Sequence, residues 1–191
     1  MICDIIEKLK TPGAVVAIRT DTVYGLICNA FDKLAVKKIY DIKKRDKRKP
    51  LSLFVKDIDE VEKYISDENL TIENISLMKK YWPGAITMIF KKKDDTLSHL
   101  TNGMIGIGIR IPNDKDLLDI MKGVDFPLAE TSCNISNEEP YIDYESIKNK
   151  FEGIVDMIVD GGKVENNVPS TVISLEANEM ILIRQGEIKV I

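Results

Sequence analysis

Between Lys43 and Lys49 the chain reads KKRDKRK, six positive charges in seven residues, and passes directly into PLSLFV. Charge gathered this densely beside an apolar strand meets an anion, and phosphate is the commonest. Lys43 and Arg45, at alternate positions, can aim two cations at one polyphosphate, the lysine as a point charge and the arginine as a fork. Arg110 ends the glycine-spaced stretch IGIGIR, where a charge beside buried residues requires a partner. Three hydroxyl-rich turns, Thr20-Asp21-Thr22, Thr131-Ser132-Cys133-Asn134 and Pro169-Ser170-Thr171, supply short groups that bind either their own backbone or a ligand. Together these types suit the gripping of an anion, phosphate first of all. Taken singly they are equally a solvated helix end, a strand-end arginine and turn chemistry.

The elements that must position these residues follow from pattern. Residues 3–10 read as a helix stopped by Pro12-Gly13. Ala14–Ile18 is a continuous apolar run, as in a strand covered on both faces. Asp32 can cap a helix carrying Leu34, Ile39, Tyr40 and Ile42, whose C-terminal end is the basic run. Leu51–Val55 is the next strand, 57–66 and 71–81 are helical, and Pro83-Gly84 launches the strand ITMIF. Residues 94–104 read as an exposed loop. In 105–111 the alternating glycines mark a strand that something approaches closely. Asp114–Met121 is a short helix and Leu128–Glu130 a brief strand. Tyr144–Phe151 is helical, 154–160 a strand, and the C-terminal part holds three short strands over 170–175, 180–185 and 187–191. This order lacks the regular alternation of a dinucleotide-binding domain. It predicts an α/β fold built on one large twisted mixed sheet flanked by helices, with a single domain spanning 1–191.

Several functions are argued against. The formal charge of -4, from 27 Lys+Arg and 31 Asp+Glu, does not suit a general nucleic-acid coat. The cysteines Cys3, Cys28 and Cys133 are far apart and odd in number, which fits a reducing compartment and no disulfide framework. His99 is the one histidine, so no structural zinc is expected. The N-terminus, MICDIIEKLKTPG, does not read as a signal peptide, and no apolar run approaches membrane-spanning length. Gly161-Gly162-Lys163 is followed by Val164 rather than a hydroxyl residue, so no Walker-type phosphate loop is present, and Gly106-x-Gly108 lacks a third glycine. His99, in a polar segment, lacks the rigid support that a catalytic triad needs.

Five segments stand in order: TDTVYGL (20–26), KKR with KPLSL (43–53), YWPGAITMIF (81–90), IGIRIP (107–112) and TSCNIS (131–136). PSTVISL (169–175) and ILIRQGEI (181–188) follow. In these motifs, over nearly its whole length, the chain resembles the YrdC/TsaC family of threonylcarbamoyl-AMP synthases. The resemblance implies a YrdC-like fold with a concave cleft. It also implies a reaction in which L-threonine, bicarbonate or CO2, and ATP give threonylcarbamoyl-AMP and pyrophosphate, the activated precursor of a modified adenosine in tRNA. Longer members carry an extra C-terminal domain, for which this chain is too short. A cytoplasmic setting, Mg2+ carried with ATP, and a downstream tRNA transferase machinery as partner are implied with it.

Carried over motif by motif, the resemblance gives Lys43 and Arg45 the catalytic clamp on the phosphates and Arg45 and Lys49 contacts to ATP. Gly106, Ser132, Asn134, Tyr141 and Arg184 complete the ATP side. Thr22, Phe54, Arg110, Glu130 and Ser170 fall on the threonine side, with Arg110 on its carboxylate. Phe54 either packs on the threonine side chain or fills the core. Glu130 stands where the family has a small residue whose backbone faces threonine. Cys133 replaces the usual alanine and reads as packing, not as a nucleophile. Lys44, Lys47 and Arg48 form a solvated rim. Two alternatives remain at this point: an RNA-binding module that uses the same basic surface without chemistry, and a carbamoyl-adenylate enzyme with another acceptor.

Overall fold

The apolar run at the start of the chain forms β1 (Val16–Arg19), and it is covered on both faces. Val15 and Ala17 join one hydrophobic cluster, Val16 and Ile18 the other. The structure, a computed structural model, describes residues 1–164, 167–177 and 179–190. Within them β1 is one of nine strands in a single mixed sheet of order β7-β1-β2-β6-β3-β5-β4-β8-β9. The others are β2 (Tyr24–Asn29), β3 (Ser52–Phe54), β4 (Ile86–Lys91), β5 (Gly106–Arg110), β6 (Leu128–Ser132), β7 (Met157–Ile158), β8 (Thr171–Ser174) and β9 (Ile181–Arg184). β1∥β7, β3∥β5 and β4∥β8 are parallel pairs, and the remaining neighbours are antiparallel. The expected fold class is the observed one.

The two faces of the sheet are treated differently. One is closed by α2 (Lys33–Lys43), α4 (Ile72–Tyr81), α5 (Ser98–Thr101) and α7 (Tyr144–Phe151). They bury Ile39, Met78, Leu100, Ile147 and Phe151 against Leu26, Leu53, Met88, Ile109 and Ile173. The other face is closed over only part of its width. There α1 (Ile2–Leu9) and α6 (Lys115–Lys122) pack Ile5, Leu9, Leu117 and Ile120 onto Val16, Ile27, Phe54 and Leu128. Along the strands this face then turns polar, and the uncovered part is the cleft.

Local chemistry fixes the helix ends. Asp32 accepts from Leu34 N and Ala35 N and so caps α2, while Lys44 ends it in the left-handed region at φ 50. Asp114 caps α6 and Asp143 caps α7 in the same way.

Several expectations are corrected. β2 was not foreseen; Gly25 interrupts its run, and burial on both faces removes any alternation. Residues 94–104 are not merely an exposed loop, because α5 buries Leu100 and Thr101 and the preceding Leu97. The helix expected over 57–66 is reduced to α3 (Ile58–Val61). The strand expected over 154–160 is reduced to two residues. No strand forms over 187–190, where the Ile188 carbonyl instead accepts from Thr171 Oγ1 at 2.6 Å; Ile191 lies outside the described residues.

Candidate active site

Register explains the cleft. In antiparallel and parallel pairs alike, side chains at partnered positions share a face. Glu130 pairs with Ser52, Ser132 with Gly25, Phe54 with Arg110, and Ile89 with Gly108. The alternation of β5 therefore sends Ile107 and Ile109 into the closed core and presents Gly106, Gly108 and Arg110 to the open face. On β4 and β8 the same alternation turns Thr87, Ile89 and Val172 to that face. Arg184 of β9, paired with Val172, arrives there too.

Two adjoining cavities result. One, of about 520 Å3, is polar and is lined by Thr22, Lys43, Arg45, Lys49, Arg110, Glu130, Ser132, Asn134, Ser170 and Arg184, with Ser52, Asn137, Glu138 and Pro140. The other, of about 540 Å3, is more apolar, lined by Pro50, Leu51, Ile89, Met104, Ile105, Gly106, Gly108 and Val172. Arg45, Ser52 and Arg184 belong to both. The polar–apolar junction is thus marked by two arginines facing each other from α2's end and the sheet edge.

At one end of the polar cavity Arg110, 3% exposed, is held by three acceptors. Its Nε donates to Gly84 O at 3.0 Å, Nη1 to Thr22 Oγ1 at 3.1 Å and Nη2 to Asp21 Oδ1 at 2.6 Å. Phe54 lies beneath it, ring centroid 5.5 Å from the guanidinium carbon. Thr22 is itself fixed by Thr20 Oγ1 at 3.0 Å. Asp21 also accepts from Asn113 N at 2.8 Å through Oδ2. Its role as partner of Arg110 was missed in the sequence, although the T-D-T spacing holds the signal.

In the middle, Lys43 is 1% exposed, and its ammonium donates to Ser132 O, to Asn134 O at 2.8 Å and to Asn134 Oδ1 at 2.7 Å. Ser136 N returns a bond to Lys43 O at 2.9 Å. Asn134 is fixed further by Ser132 Oγ at 2.7 Å and by its own Nδ2 on Glu138 O at 2.5 Å. Burial first, then the Arg45 charge, pushes the Lys43 ammonium down to about 8, against the pull of Cys133 and Glu130. The mobile point charge expected of Lys43 is therefore, in this state, the anchor of the TSCN turn. Burial pushes the Cys133 thiol up to about 12, which agrees with packing rather than nucleophilic chemistry.

At the far end Arg45 donates from Nε to Lys49 O at 2.8 Å and from Nη2 to Pro50 O at 2.9 Å. Lys49 reaches Asn137 Oδ1 at 3.0 Å. Arg184, within electrostatic reach of both Arg110 and Arg45, grips Ser170 through its carbonyl, at 2.8 Å from Nη2, and its hydroxyl, at 3.2 Å. Ser170 Oγ lies 3.0 Å from Thr87 Oγ1. Of the other basic residues, Lys44 and Lys47 are exposed and outside the lining, and Arg48 is paired with Asp46 at 2.6 Å.

Two assigned residues are not in the cleft. Of its two readings Phe54 takes the second, filling the core between the sheet and the α1/α6 layer, with its ring against Arg110. Tyr141 packs edge-on against Phe151, centroids 5.8 Å apart, and Pro140 takes the lining position beside it. His99 Nε2 lies 2.8 Å from Ala30 O, away from the cleft.

A family model described as "Telomere recombination" (Sua5/YciO/YrdC) matches residues 8–186. A Methanocaldococcus jannaschii protein named putative threonylcarbamoyl-AMP synthase is 35% identical over 189 residues, covering 99% of this chain and 87% of that protein. A Bacillus subtilis protein named threonylcarbamoyl-AMP synthase is 37% identical over 181 residues, covering 94% of this chain and 52% of that one. The solved structure of Pyrococcus abyssi Sua5 complexed with L-threonine superposes with a TM-score of 0.90 at 30% identity, covering 97% of this chain and 54% of the other. The chain thus spans most of the Methanocaldococcus protein and about half the length of the other two.

Proposed function

The chain belongs to the Sua5/YciO/YrdC family, and from that membership and the cleft we propose that it is an ATP-dependent L-threonylcarbamoyl-AMP synthase. The observation that carries this reading is the convergence of two separate cation groups on one open sheet face. Arg110 with Thr22 makes one group and Arg45 with Lys49 the other, and Arg184 lies within electrostatic reach of both arginines.

A carboxylate-bearing amino acid suits the first end, because Arg110 is aimed and held by Asp21, Gly84 and Thr22 before any ligand arrives. The triphosphate suits the second. The nucleoside then extends over Gly106 and Gly108 into the apolar cavity, where the absent side chains leave room for a flat group. Between the two ends the carbamate, formed from the amino acid and bicarbonate or CO2, attacks the α-phosphorus and pyrophosphate leaves. Positioning and prearranged positive charge supply the catalysis. Lys43 contributes by holding Ser132 and Asn134 in place beside the phosphates. Mg2+ would ride on the phosphate oxygens and water, neutralising charge, since no group of acidic or histidine side chains among the described residues is arranged to hold a metal.

Delivery of the product to a tRNA transferase, and a weak RNA contact through exposed Lys44 and Lys47, belong to the same reading. A cytoplasmic setting is supported by the three unpaired cysteines. No described helix is long and apolar enough to cross a membrane. Nucleotide analysis after incubation with ATP, bicarbonate and each amino acid tests the proposal. Pyrophosphate release should require L-threonine and bicarbonate together; release indifferent to threonine would sink it.

A further inference from the structure

Glu130 is the carboxylate that β6 sets in the polar cavity, beside Arg110, Lys43, Arg45 and Arg184, and it is unpaired among the described residues. It makes no hydrogen bond and no ion pair with any described residue, although Arg110 of β5, Lys43 and Arg45 at the end of α2, and Arg184 of β9 all act on it electrostatically. Each of these cations points N–H groups elsewhere: Arg110 at Gly84, Thr22 and Asp21; Lys43 at the TSCN turn; Arg45 at Lys49 and Pro50; Arg184 at Ser170. Directly across the sheet Glu130 is partnered by Ser52 on β3 and Ile27 on β2, neither of them charged. Burial pushes its carboxyl up despite all four charges. An unpaired half-buried carboxylate is costly, and a ligand that brings N–H donors relieves that cost.

The direction in which the side chain leans identifies the donor. An ideal Cβ at Gly25 would lie 3.3 Å from Glu130 Oε1 and 3.3 Å from Thr20 Cγ2, so the carboxylate is placed at the Thr20–Thr22 corner. That is the corner where Thr22 meets Arg110. We infer that Glu130 receives the α-ammonium of the amino acid whose carboxylate is held by Arg110, and so selects α-amino acids over the corresponding hydroxy acids. This rests on the proposed function only for where the acid's carboxylate goes. An α-ammonium and its carboxylate are neighbours on one carbon, which suits two opposite charges at one corner. Once the nitrogen is carbamoylated it keeps one N–H, which can still donate to the same oxygen. Gly25 is then needed to leave the carboxylate its space.

The test is a cycle of protein against ligand, read by calorimetry. Wild type and the isosteric Glu130→Gln are each titrated with L-threonine and with its 2-hydroxy counterpart, 2,3-dihydroxybutanoate, with ATP affinity as the control of integrity. Loss of an interaction with a charged group should weaken threonine binding by about ten-fold or more. The affinities for dihydroxybutanoate and ATP should stay within about two-fold, the usual effect of a change away from the contact. Equal losses for both acids, or unchanged threonine affinity, would overturn the inference while leaving the synthase reading in place. If the wild type prefers a different amino acid, the synthase reading fails and the same cycle is run with that acid and its 2-hydroxy form. Binding of no α-amino acid at all ends both.

Discussion

Lys43 holds a buried positive charge whose three protons all have named acceptors, so its protonation state is also the state of the TSCN turn. The ammonium sits at about 8, below its ordinary value, because burial disfavours the charged form. For a lysine lowered in this way the charge is complete well below pH 8 and lost as pH rises through it. The neutral amine has two donors for three oxygens, so Ser132 or Asn134 is released. We predict that kcat/KM for ATP falls as pH passes upward through about 8, and that Lys43→Arg removes this limb while lowering the plateau. A wild-type profile flat from pH 7 to 9.5 would contradict the assignment. The second residue-scale prediction concerns Asp21, whose ion pair with Arg110 is nearly closed to water. Asp21→Ala strands a buried guanidinium, and removing one partner of a buried pair costs about 3–5 kcal/mol. Denaturant melts should show that loss, and threonine affinity should fall with it. Asp21→Asn, which keeps an acceptor oxygen on Arg110, should recover part of both.

At the scale of elements, β5 shows how one strand serves core and cleft by alternation alone. Its isoleucines are buried and its glycines line the more apolar cavity. A Cβ on Gly108 would come 3.2 Å from Thr87 Cγ2 and 3.9 Å from Ser52 Oγ, a fit that a small shift allows. Gly108→Ala should therefore keep stability within about 1 kcal/mol and raise the KM for ATP several-fold, because the new methyl rises into the floor. Gly84 makes the contrast: a Cβ there would meet the Tyr81 carbonyl oxygen at 2.4 Å, a backbone atom with little freedom. Gly84→Ala should lower the melting temperature clearly and should displace the carbonyl that holds Arg110. Paired melting curves and ATP kinetics separate the two; similar melting losses would refute the distinction. The same strand marks how much was legible beforehand. IGIGIR is readable because its alternation is local, and Asp32, Asp114 and residues 144–151 announce their helices by capping and period. β2 and α5 were not readable, since burial on both faces and tertiary packing decide them. Within the site, the family motifs located Thr22, Arg45, Arg110 and Arg184 in the cleft. That Phe54 and Tyr141 turn inward depends on which layer covers each face, which no local pattern encodes.

Across the whole molecule, a chain of charge -4 concentrates Lys43, Arg45, Lys49, Arg110 and Arg184 on one partly uncovered face, so the cleft is positive although the protein is not. The face is built from both halves of the sheet. Arg45 comes from beside β3, whereas Arg184 comes from β9, the outermost strand on the other side. β9 is an exposed edge: all four residues are exposed, its pairing with β8 slips between Val172 and Ile173, and Arg184 adds a side-chain grip on Ser170. A polyphosphate bridging Arg45 and Arg184 would tie this edge to the centre. Binding only to the folded state stabilises it by about 2.7 kcal/mol at a hundred times Kd, and the gain should appear most where local opening is easiest. We predict that saturating ATP slows amide exchange over 181–184 by about ten-fold or more and leaves β2, a buried interior strand, unchanged. Arg184→Ala should abolish the effect at β9 even at ATP concentrations that restore occupancy. If exchange at 181–184 ignores ATP in the wild type, the nucleotide does not bridge the two arginines, and the phosphates must lie along Lys49 and the TSCN turn alone.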